Sequence, residues 1–216
     1  MATSVGSDAV PITAGKVIHW AMGYDLLLRV FWGRSEQRYR SKLLQLARLG
    51  AGESVLDIGC GTGTLAIAAR RCVGPAGKVV AVDASPQMVA RARRKAARAA
   101  ADVEFRLAAA EALPFPDATF DAVLSTTVLH CLPDEARGRA IHEMRRVLKP
   151  DGRLLLADFA GPWQLRRSFV GRMRVHRRFD LYAVIPILRD AGFARVDSDA
   201  LGLGDLAFAL ATARPA

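Results

Sequence analysis

The chain reads as an α/β protein built on a doubly wound, mostly parallel sheet, and three observations predict it. Apolar, strand-like runs alternate with helical patterns along most of the 216 residues, the rhythm of parallel strands joined by helical crossovers. One run, Val55 to Ile58, passes straight into glycines at alternate positions, Gly59, Gly61 and Gly63, a strand-to-helix turn stripped of side chains so that backbone can approach a ligand. A second run, Lys78 to Val82, ends in Asp83, 20 residues beyond Gly63.

Taken in order, residues 1 to about 14 read as mobile, and 15–33 and 35–49 as two helices, the second capped by Ser35 and stopped by Gly50. Strands follow near 53–58, 77–83, 103–107, 120–125 and 153–159, with helical patterns between them. Ser85-Pro86 opens one of those helices with an N-cap serine and a proline in the first turn. A last helix spans Leu181 to Asp190 and stops at Ala191-Gly192, before closing strands near 193–200 and 205–213. Neither a repeat nor a linker marks a second domain.

The glycine turn carries the first chemical information. Gly61, Gly63 and Ala66 fit a permissive dinucleotide fingerprint, so spacing alone leaves the ligand open. Charge narrows it, because Asp57 stands two residues before Gly59, where a carboxylate repels phosphate and attracts an ammonium or sulfonium. Asp83 sits where a carboxylate accepts both hydroxyls of a ribose.

Val55 to Thr64 resembles motif I of the class I S-adenosylmethionine-dependent methyltransferases, and the resemblance runs through most of the chain toward the small-molecule, ubiquinone/menaquinone type. It implies a Rossmann-like, seven-stranded sheet in the order 3-2-1-4-5-7-6 with a reversed final hairpin. It also implies S-adenosylmethionine as cofactor and S-adenosylhomocysteine as product. The N-terminal residues 1–50 then form a helical lid on a methyltransferase domain at 51–216. Carried over residue by residue, Asp57, Gly59, Cys60, Gly61 and Gly63 make the cofactor loop, Asp83 holds the ribose, and Ala84 and Met88 lie against the adenine. Ala108 to Asp117 resembles the loop that clasps the adenine, with the Ala110 N–H directed at a ring nitrogen; Ser125 closes the list at the exit of strand four. Ala109 departs from the pattern, standing where many relatives carry an aspartate, so the adenine amine must find Glu111, a backbone carbonyl or water. In the lid, Tyr24 offers its hydroxyl to the cofactor carboxylate, while Trp20 and Phe31 wall the acceptor. Two other readings of that segment stay open: core packing, or a membrane-lying helix anchored by Trp20, Phe31 and Trp32.

Composition limits the function classes. A chain 51% hydrophobic buries a core without staples, and Cys60, Cys72 and Cys131 lack metal-ligand or paired spacing, the pattern of reduced thiols. The first dozen residues lack a secretory pattern and no apolar run reaches the ~20 residues of a membrane span, so a cytoplasmic protein is expected. The net charge of +10 gathers in two clusters. Arg91, Arg93, Arg94, Lys95 and Arg98 read as a solvated helix face. Arg166, Arg167, Arg172, Arg174, Arg177 and Arg178 follow strand five, which leaves open an anionic substrate, peripheral contact with an anionic membrane, or solvation. Specific nucleic-acid methylation is disfavoured. Ser125-Thr126-Thr127-Val128 is not the Asp/Asn-Pro-Pro-aromatic motif of base-amine enzymes, and Cys131-Leu132-Pro133 is not a Pro-Cys nucleophile.

Methyl transfer is mostly positioning, and a base is needed only for an acceptor that enters protonated. His130, just after strand four, is the candidate base, against packing within its loop. Asp158 is the runner-up, against capping a turn or pairing with an arginine. The gap from Ala160 to Asp180 is short for a substrate cover, which implies an open site or a small acceptor, closed by the N-terminal helix or by a partner subunit in a homodimer. Phe159, Trp163 and Phe169 supply an apolar wall suited to a quinol, phenol or polyketide, while the arginines keep a phospholipid amine in play. Two further classes stay open: a cofactor-binding protein without transferase activity, for which Ala109 speaks, and a nicotinamide oxidoreductase, against which Asp57 speaks.

Overall fold

Strands that are covered on both faces read as apolar runs, and such runs make up most or part of four of the five strands that form the parallel body of the sheet, the edge strand being the exception. They are β1 (Ser54–Ile58), β2 (Lys78–Asp83), β3 (Glu104–Leu107), β4 (Phe120–Thr126) and β5 (Leu148–Phe159), with β6 (Phe193–Ala200) and β7 (Leu206–Ala213) closing the chain. The computed structural model describes residues 11–17, 37–161 and 179–215. The sheet runs β3-β2-β1-β4-β5-β7-β6, with β7 inserted antiparallel between β5 and β6. This is the predicted order with its reversed hairpin.

Helices α1 (37–47), α2 (Thr64–Val73), α3 (Pro86–Arg98), α4 (Asp134–Val147) and α5 (Ile185–Asp190) accompany the sheet. Helical spacing selects the buried face of α4, which places Ala136, Ala140, Ile141, Met144 and Val147 in the core. Its first turn carries Asp134 and Glu135 and its last Arg145 and Arg146, each charge set against the helix dipole. At the start of α3 the Ser85 hydroxyl accepts the Met88 N–H and Pro86 occupies the first turn, as its dipeptide predicts.

Register positions the cleft. Ile58 lies beside Val82 on one side and Ser125 on the other, so β1, β2 and β4 end level with one another. Chain order reverses between β1's two neighbours, and in such sheets ligands bind beyond the strand ends at that reversal.

Four boundaries differ from the sequence reading. Residues 15–17, expected to begin a helix, are non-helical, and within 11–14, expected to be mobile, Thr13 and Ala14 donate hydrogen bonds to Glu111 in the loop after β3. Helix α1 ends at residue 47, before Gly50, with Arg48 at φ 47°. The cause is Arg153 on β5, whose guanidinium donates to the carbonyls of Ala47 and Arg48 and to Glu53, satisfying the helix end early. Strand β5 begins at Leu148 and crosses a register shift before Arg153 pairs with Ala122. The last helix is divided: Leu181–Val184 is a 3₁₀ turn, and α5 starts beyond it with Pro186 in its first turn, because a proline N–H is missing from any longer helix.

Candidate functional site

The alternate glycines each answer to a different neighbour. At Gly59, φ is +68° and an added Cβ would lie 2.1 Å from Cγ2 of Val128. At Gly63, φ is +77° and the Cβ would meet the Phe105 ring and Ala92, so this glycine serves packing rather than ligand approach. At Gly61, φ is +54° and nothing lies within 4 Å; of the three, Gly61 presents bare backbone to open space. The Gly59 and Cys60 N–H groups both donate to the Val82 carbonyl, tying the loop to β2.

Asp83 completes the turn. Its Oδ2 accepts the Gly61 N–H at 2.8 Å and its Oδ1 the Ser85 N–H at 2.9 Å, which fixes the carboxylate beside the loop with lone pairs remaining. Burial pushes its carboxyl up, opposed by those two N–H groups. Asp57 lies deeper, 1% exposed, with Oδ2 unpartnered. Burial first, and then the charge of Asp83, push it up to about 7 against Arg40 and the Ala66 N–H. The two acids repel one another, so a positive charge placed beside them is favoured.

Above this floor a cavity opens. Gly59, Gly61, Asp83, Ala84, Met88, Ala110 and Glu111, all expected at a cofactor site, line it. Asp57, Cys60, Gly63 and Ser125 do not; they lie in the layer beneath, where Ser125 Oγ is buried without a partner and burial with the charges of Asp57 and Asp83 pushes the Cys60 thiol up. Tyr24 falls outside the described residues, as do Trp20, Phe31, Trp32, Trp163, Phe169 and the Arg166–Arg178 cluster.

The opposite wall was not visible in the sequence. Residues 11–17 cross the cavity mouth: Glu111 Oε1 accepts the Thr13 hydroxyl at 2.7 Å and the Ala14 N–H at 2.9 Å, and the Lys16 N–H donates to the Cys131 carbonyl at 3.1 Å. Thr13, Gly15, Lys16 and Val17 thereby join the lining, and Glu111 Oε2 stays buried and unpartnered. Thr127, also in the lining, sits at φ 55°, a strained value for a β-branched residue, held by its N–H on the Ala157 carbonyl at 2.7 Å.

His130 is placed differently from a waiting base. Its Nδ1 lies 2.7 Å from Asp158 Oδ1, and its side chain is 7% exposed. Burial of the ring works against its charge, but the Asp158 carboxylate and Cys131 outweigh it and push the imidazole up to about 10. A ring that already carries its proton near neutral pH is not a resting general base. Among the described residues, the ion-pair partner of Asp158 is this histidine.

Residues 55–152 match a family model described as a methyltransferase domain. The chain is 41% identical over 144 residues to the ubiquinone/menaquinone biosynthesis C-methyltransferase UbiE of Pseudomonas putida, an alignment covering 66% of this chain and 56% of that protein. It is 40% identical over 139 residues to the demethylmenaquinone methyltransferase of Thermus thermophilus, covering 64% and 62% respectively. It thus spans little more than half the length of these curated relatives. A solved SAM dependent methyltransferase from Aquifex aeolicus superposes with a TM-score of 0.71 at 25% identity, over 89% of this chain and 97% of that one. The PH0226 protein of Pyrococcus horikoshii shares the fold, with a TM-score of 0.72 at 19% identity over 89% and 99%.

Proposed function

We propose that the chain, whose residues 55–152 match a methyltransferase domain, is a class I S-adenosylmethionine-dependent methyltransferase that moves a methyl group from S-adenosylmethionine to a small apolar or aromatic acceptor of quinol or phenol type. The observation that carries the reading is Asp83, pinned by two backbone N–H groups beside the bare face of Gly61.

The residues fit the cofactor. Asp83 accepts the ribose hydroxyls, and Ala84 and Met88 flank the base. The Ala110 N–H serves a ring nitrogen. The buried, unpartnered Glu111 Oε2 takes the adenine amine that Ala109 cannot. Asp57 contributes field from beneath the loop, favouring a cation above it. When bound, S-adenosylmethionine supplies an electrophilic methyl on a sulfonium. The protein's part is to orient the acceptor and exclude water, which Val17, Val128 and Leu132 do from the cavity wall.

The acceptor class is supported by the names of the relatives, both quinone-pathway methyltransferases, and by that apolar wall. The test pairs two measurements. Calorimetry should show S-adenosylhomocysteine binding and no NAD binding, and transfer of a tritiated methyl should occur to quinols or phenols in preference to thiols, amines or lipid extracts. Binding with no transfer to any of them would reject the transferase reading, and transfer to a phospholipid amine would replace the acceptor class.

A further inference from the structure

The cavity also presents a nucleophile that positioning a methyl group does not use. Cys131 lines it, and Cys131 Sγ lies 3.1 Å from Nε2 of His130. The other ring nitrogen meets Asp158 at 2.7 Å. Asp158 is itself fixed, 2% exposed, accepting the His130 N–H at 3.2 Å and the Phe159 N–H at 2.8 Å. The imidazole packs edge-on against Phe159 and Phe179, which holds its plane. Thiol, imidazole and orienting carboxylate therefore stand in series, the relation that activates a nucleophile.

We propose that Cys131, His130 and Asp158 form an activated-thiol site that adds covalently to α,β-unsaturated carbonyl compounds, quinones among them. In this site the Cys131 sulfur is a thiolate paired with the protonated His130 ring, whose Nε2–H faces Sγ and whose Nδ1–H faces Asp158. The thiolate pair forms the C–S bond at the β-carbon as the C=C pair moves to make an enolate, and His130 Nε2–H gives its proton to the enolate oxygen, which leaves the imidazole neutral. With a quinone, the hydrogen on the attacked ring carbon then moves to the second carbonyl oxygen, giving a hydroquinone thioether. No external oxidant or reductant enters. The site does not depend on methyl transfer.

The other two cysteines are internal references: Cys72 is exposed, and Cys60 is held protonated by burial and by the charges of Asp57 and Asp83. At pH 6 an ordinary thiol of pKa ~8.5 is about 0.3% thiolate, so a thiol activated by a neighbouring imidazolium keeps an advantage there of about tenfold after its weaker intrinsic nucleophilicity is allowed for. The full chain is treated with limiting N-ethylmaleimide from pH 6 to 9 and the adducts are located by peptide mass mapping. Cys131 should react about tenfold faster than Cys72 at pH 6, the ratio should shrink toward pH 9, and 1,4-benzoquinone should mark the same residue. His130→Gln should abolish the ratio. Equal rates for Cys131 and Cys72 at pH 6 in the unaltered protein would overturn the proposal whether or not that variant folds, as would a ratio unchanged in a folded His130→Gln. Loss of the methyl-transfer assay alone bears only on the earlier reading.

Discussion

Replacing Asp57 by asparagine separates what its charge costs from what it does. Asp57 is 1% exposed with one oxygen unpartnered, and burial followed by the charge of Asp83 pushes its carboxyl from 3.8 up to about 7. Between those values the folded state binds the proton more tightly than the unfolded chain. Stability is therefore highest below about pH 4, falls as pH rises to about 7, and is level above. About three pH units at ~1.4 kcal/mol each put the cost of the ionised carboxylate on the order of 4 kcal/mol. Asparagine keeps an acceptor for the Ala66 N–H and carries no charge. Without ligand, Asp57→Asn should gain stability over the unaltered protein as pH rises, approaching that order at pH 8, with convergence near pH 4. Urea denaturation at four pH values reads the difference, while calorimetry at pH 8 should show S-adenosylhomocysteine affinity lost. A stability difference that stays constant from pH 4 to 8 would refute the view that this acid is held at a cost for a cationic ligand.

Gly59→Ala must push Val128 aside at positive φ and should cost ~2–4 kcal/mol in thermal unfolding, against ~1–2 kcal/mol for Gly61→Ala, which meets nothing within 4 Å. The ligand affinities should order the other way among folded variants, with Gly61→Ala losing more than its stability change explains. His130, pushed up to about 10, contributes stability that is complete below about pH 6.5 and lost as pH rises through about 10; the gap between the unaltered protein and His130→Gln in denaturation midpoint should close over that window. Thr13→Val removes the hydroxyl on Glu111 and should weaken S-adenosylhomocysteine binding ~5-fold in calorimetry with little change in melting temperature. Arg153→Met frees two helix-end carbonyls and Glu53, and should cost ~2–3 kcal/mol in urea denaturation with ligand affinity retained.

The strands were legible because a parallel strand covered on both faces is apolar at every position, and Val55, Leu56, Val79 and Val80 carry that signature without help from their surroundings. Asp83 was legible for a similar reason, since register with β1 fixes where β2 must end. What escaped the sequence was decided by partners far along the chain. Nothing local to Leu49-Gly50 announces that Arg153 will finish the helix at Ala47, and nothing in residues 11–17 announces Glu111. The same holds for the site. His130 could be singled out by its place after β4, but its proton is set by Asp158, 28 residues away. Gly63 looked like its two neighbours in the motif, and only the Phe105 ring shows that it belongs to the packing of α3 and β3.

The net charge of +10 invited a ligand or a membrane to explain it, and the described residues offer another account. Arg93 donates to the Phe105 carbonyl, Arg137 to Leu129 and Leu132, Arg145 to Gly192, Arg146 to Leu113 and Phe115, and Arg153 to Ala47 and Arg48. Arg93 reaches the edge strand β3, and each of the others ties a loop or helix end, a task that suits a planar guanidinium with several donors. At these five positions positive charge serves the scaffold as hydrogen-bond donors engaged with backbone. The acids are used the other way. Asp57, Asp83 and Glu111 sit under or along one cavity, and two of them keep a buried oxygen without a partner. Screening confines the outer charge to about 8 Å at physiological salt, so a ligand inside meets the local acids and not the global sum. A chain basic in composition can therefore hold a site selective for a cation, and the partnering of each charge, rather than the count, says which face the ligand reads.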